Sequence, residues 1–173
     1  MAGNVDYTQG AMRNAVKKDF RDIYSSPMSQ GTRCHQLATY IVFDSPLVML
    51  CDAPTAYGKE PECTRFIAGL PVVADETRIL QGKMGEYIVT ARRVGEDWIV
   101  GGLTDWEART VDLDLSFLPE GMFRAEIFCD GINADKKGED YRHEYRDVKR
   151  EDRLKMQLAP GGGFAIRLKK NHN

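Results

Sequence analysis

Apolar positions change their spacing near residue 70. Before that point they fall at helical intervals or in unbroken runs. Leu37, Tyr40 and Ile41, and then Cys63, Phe66 and Ile67, recur three and four residues apart, which puts each set on one side of a helix at about 3.6 residues per turn. Helices are predicted over Thr32 to Phe43 and around Glu60 to Ala68. Leu47-Val48-Met49-Leu50-Cys51 is apolar without alternation, the pattern of a parallel strand covered on both faces. Gly3 to Tyr7 reads as extended and Thr8 to Gly31 as a loop. The order is strand, helix, strand, helix.

From Pro71 onward the period becomes two. Arg78-Ile79-Leu80, Glu86 to Arg93, Trp98 to Leu103, Arg109 to Phe117, Met122 to Cys129, His143 to Val148, Leu154 to Leu158 and Phe164 to Leu168 read as about eight short strands. Gly82, Gly95-Glu96-Asp97, Pro119-Glu120-Gly121 and Pro160-Gly161-Gly162-Gly163 punctuate them. Val111, Leu113, Leu115 and Phe117 face one way and Asp112, Asp114 and Ser116 the other, as in an antiparallel sandwich. The fold class is α+β. The first part poses a geometric problem, because two strand-helix units cannot cover both faces of a parallel strand. Such repeats close as an eight-fold barrel of about 250 residues or extend as an open sheet. Residues 1–70 therefore read as the incomplete end of something longer, and residues 71–173 as a sandwich able to stand alone.

Composition narrows the partners. The chain has 173 residues, 42% of them hydrophobic and 29% charged, with a formal net charge of −2. That is globular composition with no cationic footprint for nucleic acid. No apolar run approaches the roughly 20 residues of a membrane span, and residues 1–20 carry charges without the apolar core of a secretory signal. Cys34, Cys51, Cys63 and Cys129 form no C-x-x-C pair, and with His35, His143 and His172 they do not make a zinc spacing. Small buried thiols are the expected role for most of them.

Five segments carry a resemblance: Gly3-Asn4-Val5-Asp6-Tyr7-Thr8-Gln9-Gly10-Ala11-Met12, Gln30 to Ala38, Ser45-Pro46-Leu47, Lys59-Glu60-Pro61-Glu62-Cys63, and Asp130-Gly131-Ile132-Asn133-Ala134-Asp135. In this order and spacing they resemble the C-terminal portion of glycoside hydrolase family 97, α-glucosidases and α-galactosidases of carbohydrate-degrading bacteria. The resemblance implies an enzyme with an N-terminal β-supersandwich, a central (β/α)8 barrel bearing the active site, and a C-terminal β-sandwich. Residues 1–69 would then be the last two strand-helix units of the barrel. It also implies hydrolysis of terminal α-glucosidic bonds in oligosaccharides by inversion with calcium, or retention on α-galactosides. The catalytic and calcium-holding glutamates are expected upstream, so this chain alone is expected to bind no calcium and to be inactive. A periplasmic or secreted location for the intact enzyme is implied as well. Gln9 departs from the family, which usually has Pro there; the change frees a backbone N–H and loosens the turn.

Strand ends at the C-terminal mouth of a barrel carry its chemistry. Asp6 and Asp52 follow the two extended runs and are the candidate substrate-binding residues, with turn-capping as the structural alternative. His35 has no triad partner in view and is expected to pack with one satisfied nitrogen. Glu60 and Glu62 flank Pro61 and suit the first turn of a helix. Trp98, Trp106 and Tyr87 are candidates for a sugar-stacking platform; Trp98 is expected in the core and Trp106 at a packed rim. Asp130, Asn133 and Asp135 lack the calcium-loop pattern and read as turn residues. A free-standing accessory or carbohydrate-binding module is the competing reading, and self-association is expected from uncovered apolar surface in the first half.

Overall fold

The computed structural model describes Asn4 and residues 6–171. The expected extended run from Gly3 to Tyr7 lies partly outside them, and Asn4, Asp6 and Tyr7 belong to no strand. The loop expected from Thr8 to Gly31 contains two very short strands, β1 (Asn14–Ala15) and β2 (Ser29–Gln30), which pair in parallel. Two-residue strands leave no periodicity to read. Helix α1 (Arg33–Val42) follows. Thr32 caps it, its hydroxyl oxygen accepting the His35 N–H at 3.0 Å, and Phe43 leaves in extended geometry ahead of Asp44-Ser45-Pro46.

The buried strand expected over Leu47 to Cys51 is corrected. Only Met49 pairs, through a single parallel bridge to Thr8, and Leu47, Met49 and Leu50 are 69%, 51% and 53% exposed. An apolar run becomes a buried strand only where neighbours supply both ladders and both covers, and no described residue does so here. Helix α2 (Pro54–Lys59) was not predicted, whereas α3 (Pro61–Ala68) was. Both begin on a proline, whose missing N–H costs nothing in a first turn. Cys63, Phe66 and Ile67 are the buried face of α3.

All eight strands expected after residue 71 form: β3 (Glu76–Lys83), β4 (Tyr87–Val94), β5 (Asp97–Thr104), β6 (Arg109–Asp114), β7 (Phe123–Asp130), β8 (Tyr141–Val148), β9 (Arg153–Leu158) and β10 (Gly163–Lys170). Six make an antiparallel sheet in the order β3-β4-β5-β10-β7-β8, and β6 pairs with β9. β6 stops short of the expected Phe117 because Asp114 accepts the Ser116 N–H at 2.8 Å and turns the chain. Leu115 stays buried, and Phe117 packs edge-on against Trp98.

Alternation on each strand divides the side chains between two cores. Val89, Trp98, Val100, Ile127, Phe164 and Ile166 pack against Val111, Leu113, Leu154 and Met156 of the β6–β9 pair. On the opposite face, Ile99, Phe128 and Ala165 meet Leu37, Ile41, Phe66 and Ile67 of α1 and α3. The sheet thus lies between a β-layer and a helical layer. Two glycines set the approach of α1. A Cβ on Gly101 would stand 2.9 Å from the Ile41 Cβ, and one on Gly163 2.8 Å from the His35 Cα.

Candidate functional site

Three polar constellations join the first seventy residues to the sandwich. The first surrounds Arg33, which is fully buried at the start of α1. Its Nε donates to Asn14 Oδ1, its Nη2 to the Met12 carbonyl, and its Nη1 lies 3.2 Å from Glu60 Oε2. The Arg33 backbone N–H donates to Gly138 O at 2.7 Å. Beside it, Gln36 Nε2 donates to the carbonyls of Gln9, Gly10 and Ala11, and Gln36 Oε1 accepts from Asn14 Nδ2 at 3.0 Å. A buried charge persists only when paired and hydrogen-bonded, so these contacts fix residues 9–14 onto the helix.

The second centres on Asp130 at the end of β7. Its Oδ1 accepts the Thr32 hydroxyl at 2.6 Å; its Oδ2 accepts the N–H groups of Ala159 and Gly163 at 2.9 and 3.0 Å. Burial pushes the carboxyl up to about 6 against the downward pull of those three hydrogen bonds. Next to it, His35 Nδ1 lies 3.2 Å from the Gly162 carbonyl, and burial lowers its pKa. This matches the single satisfied nitrogen expected of His35. Asp130 read as a turn residue in sequence, yet it binds a helix cap 98 residues away.

The third lies under α3. His143 stacks on Phe128 with ring centroids 4.0 Å apart, its Nε2 3.2 Å from Glu126 Oε1 and its Nδ1 3.5 Å from Glu62 Oε2. Tyr141 donates to Glu62 and Tyr145 to Glu126, each at 3.1 Å. Arg167 donates to Phe66 O at 2.7 Å. Glu62 does sit in the first turn of α3, and Glu60 is its N-cap. Both also reach beyond the helix, Glu60 to Arg33 and Glu62 to β8.

Asp6 and Asp52 are placed by the Thr8–Met49 bridge, which sets their segments side by side. Asp52 Oδ2 accepts the Met12 N–H at 2.8 Å and Oδ1 the Ala53 N–H at 2.7 Å. It borders a largely apolar groove of about 540 Å³ with Leu50, Tyr57 and Pro61. Asp6 is exposed, on the other side of the bridge from Met12. Trp98 is buried. Trp106 is half-buried, with Lys17 Nζ 5.5 Å over its ring. Gly161 backs that ring so closely that a Cβ there would lie 2.4 Å from it. Cys34, Cys63 and Cys129 are buried and burial raises their thiol pKa values, whereas Cys51 is exposed.

The arrangement defines a two-layered β-sandwich domain with a helical segment docked on its larger sheet. The family model described as Glycosyl-hydrolase 97 C-terminal, oligomerisation, matches residues 73–169, and the chain belongs to that family. A retaining α-galactosidase of Bacteroides thetaiotaomicron is 57% identical over 169 residues, 98% of this chain and 26% of that protein. A probable retaining α-galactosidase of Streptomyces bingchenggensis is 27% identical over 94% of this chain and 23% of its own. A family 97 enzyme of Pseudoalteromonas sp. strain K8, solved in complex with acarbose, superposes with a TM-score of 0.80. It is 38% identical, over 82% of this chain and 23% of the other. The chain thus spans about a quarter of the length of the curated relatives it matches.

Proposed function

We propose that this chain is the C-terminal part of a family 97 glycoside hydrolase that cleaves terminal α-glycosidic bonds, with the catalytic groups on residues preceding the segment seen here. The match of residues 73–169 to the C-terminal family model carries this reading. Residues 1–70 are read as the last strand-helix units of the catalytic barrel; the parallel Thr8–Met49 bridge and the exposed Leu47, Met49 and Leu50 support it. In this reading the chain supports the barrel. The Arg33 contacts hold residues 12–14, and Asp52 is tied to the same loop by accepting the Met12 N–H; on this reading Asp6 and Asp52 are the carboxylates that accept sugar hydroxyls.

Two substrate readings remain within the family. Hydrolysis of α-glucosides, by inversion as the family resemblance implies, has in its favour related structures solved with acarbose and panose. Retention on α-galactosides is favoured by the 57% identity to a retaining α-galactosidase, and we take it as the stronger of the two. Among the described residues no three His, Cys, Asp or Glu side chains converge as a metal site. The calcium that the family resemblance implies for the intact enzyme is, on this reading, held by residues of its other domains. A periplasmic or secreted location and self-association through the sandwich complete the reading; the family model's own description names oligomerisation.

The test is hydrolysis of aryl α-galactoside and aryl α-glucoside by a longer polypeptide carrying this sequence at its C-terminal end. Turnover of the galactoside in preference is expected. Turnover of the glucoside alone selects the second reading, and turnover of neither contradicts both.

A further inference from the structure

The turn joining β7 to β8 stands beside one end of the β6–β9 pair, and between them lies an open cleft of about 1060 Å³. That is the scale of small-molecule sites, which run from about 300 to 1,000 Å³. Its lining balances three cations, Arg109, Arg142 and Lys155, against three carboxylates, Asp130, Asp135 and Asp140. Half of these are already committed. Arg109 lies 3.4 Å from Glu86 and 3.6 Å from Asp105, Asp130 holds its three donors, and Asp140 accepts the Asn133 N–H at 2.8 Å.

The remainder are not. Lys155 and Asp135 have no side-chain partner among the described residues, nor do the neighbouring Thr110 and Gln157. Arg142 has only a loose pair with Glu144 at 3.6 Å. Other cations of the sandwich, Arg78, Lys83, Arg93, Arg124, Arg153 and Lys170 among them, are ion-paired. The free groups include donors and acceptors in a cleft without surplus charge. A phosphate requires a surplus of cations and a metal ion a convergence of carboxylates. A neutral ligand bearing adjacent hydroxyls, each able to donate and accept, uses both kinds at once. Ile132, 96% exposed at the rim, offers apolar surface to the C–H face of such a ligand.

We propose that this cleft binds a short saccharide. Lys155 and Gln157, both on β9, form its floor, and Asp135 and Arg142 its wall. Floor groups mounted on a strand are held more rigidly than groups on loops. The site makes no bond and does not depend on the catalytic reading, since it needs only residues of this chain.

The experiment is amide NMR of the chain titrated with raffinose, with maltotriose, and with inorganic phosphate as the charged comparison. Saturable shifts at Thr110, Asp135, Arg142, Lys155 and Gln157 are expected with a trisaccharide. The K155A/Q157A double variant should weaken that binding at least tenfold. Both side chains are exposed, so the variant's spectrum away from the cleft and its Tm should stay as in the parent. No saturable shift, shifts confined to other surfaces, phosphate binding in place of sugar, or an unchanged double variant would each overturn the assignment. Loss of glycosidase activity in the longer enzyme leaves this readout untouched, so the two readings fail separately.

Discussion

Asp130 is the residue whose environment makes the clearest demand on solution behaviour. Its carboxyl titrates near 6 in the folded chain against an ordinary value of 3.8, so the native state holds this proton more tightly than the unfolded one. Its contribution to stability is full below pH 3.8 and is lost as pH rises through 6. At about 1.4 kcal/mol per unit the loss is on the order of 3 kcal/mol. In Asp130→Asn the amide oxygen still accepts from Ala159 and Gly163, and its NH2 donates to Thr32. The variant should keep the fold and lose this part of the pH dependence. Urea denaturation at pH 4 and pH 7 checks it: equal pH slopes in parent and variant would contradict the assignment. Arg33 makes the opposite demand, because removing it strands Glu60 and Asn14. Arg33→Ala should cost about 3–5 kcal/mol, measured by the same denaturation.

Neither residue was legible for what it does. A buried arginine and an exposed one are spelled alike, and the partners of Arg33 lie on segments that sequence spacing does not connect. Asp130-Gly131 carries a turn signature, which is correct locally and silent about Thr32. For His35, Glu62 and Trp98 the expected local roles hold, since helix position and strand alternation decide them.

Among the elements, the strands were the most legible. Period-two alternation between glycine- and proline-marked turns is a local signal, and it located all eight. α2 was missed because its six residues begin on Pro54 and bury only Tyr57, too few for a helical period to show. Leu47 to Cys51 was misread because an apolar run states a preference for cover without stating whether cover exists. The packing of α1 on the sheet turns on backbone proximity at Gly101. Gly101→Val should force the helix outward and cost about 1–3 kcal/mol, whereas Gly58→Ala in α2, where a Cβ meets nothing within 4 Å, should be neutral or stabilising. Comparison of the two Tm values tests this, and a neutral Gly101→Val would show that the layers are looser than described.

For the molecule as a whole, the helical layer shares a core with the sheet, so the boundary near residue 70 is not a seam in packing. Ile99, Phe128 and Ala165 are buried under α1 and α3. The stretch around Lys17, Lys18, Arg21 and Tyr24 is exposed and lies outside any helix or strand. Trypsin should cut there first and leave a resistant fragment that retains α1. A first stable product beginning near residue 71 would show instead that the helices detach readily. The groove beside Asp52 and the exposed Leu47, Met49 and Leu50 remain open on this surface, consistent with a support that works against further protein.

That division of labour, positioning here and chemistry elsewhere, is tested most directly by the turnover of this chain on its own. Aryl α-galactoside and aryl α-glucoside, each with and without added calcium, should give rates no greater than a blank. Turnover well above the blank, abolished by Asp6→Asn or Asp52→Asn, would place the catalytic carboxylates within these 173 residues and contradict the account.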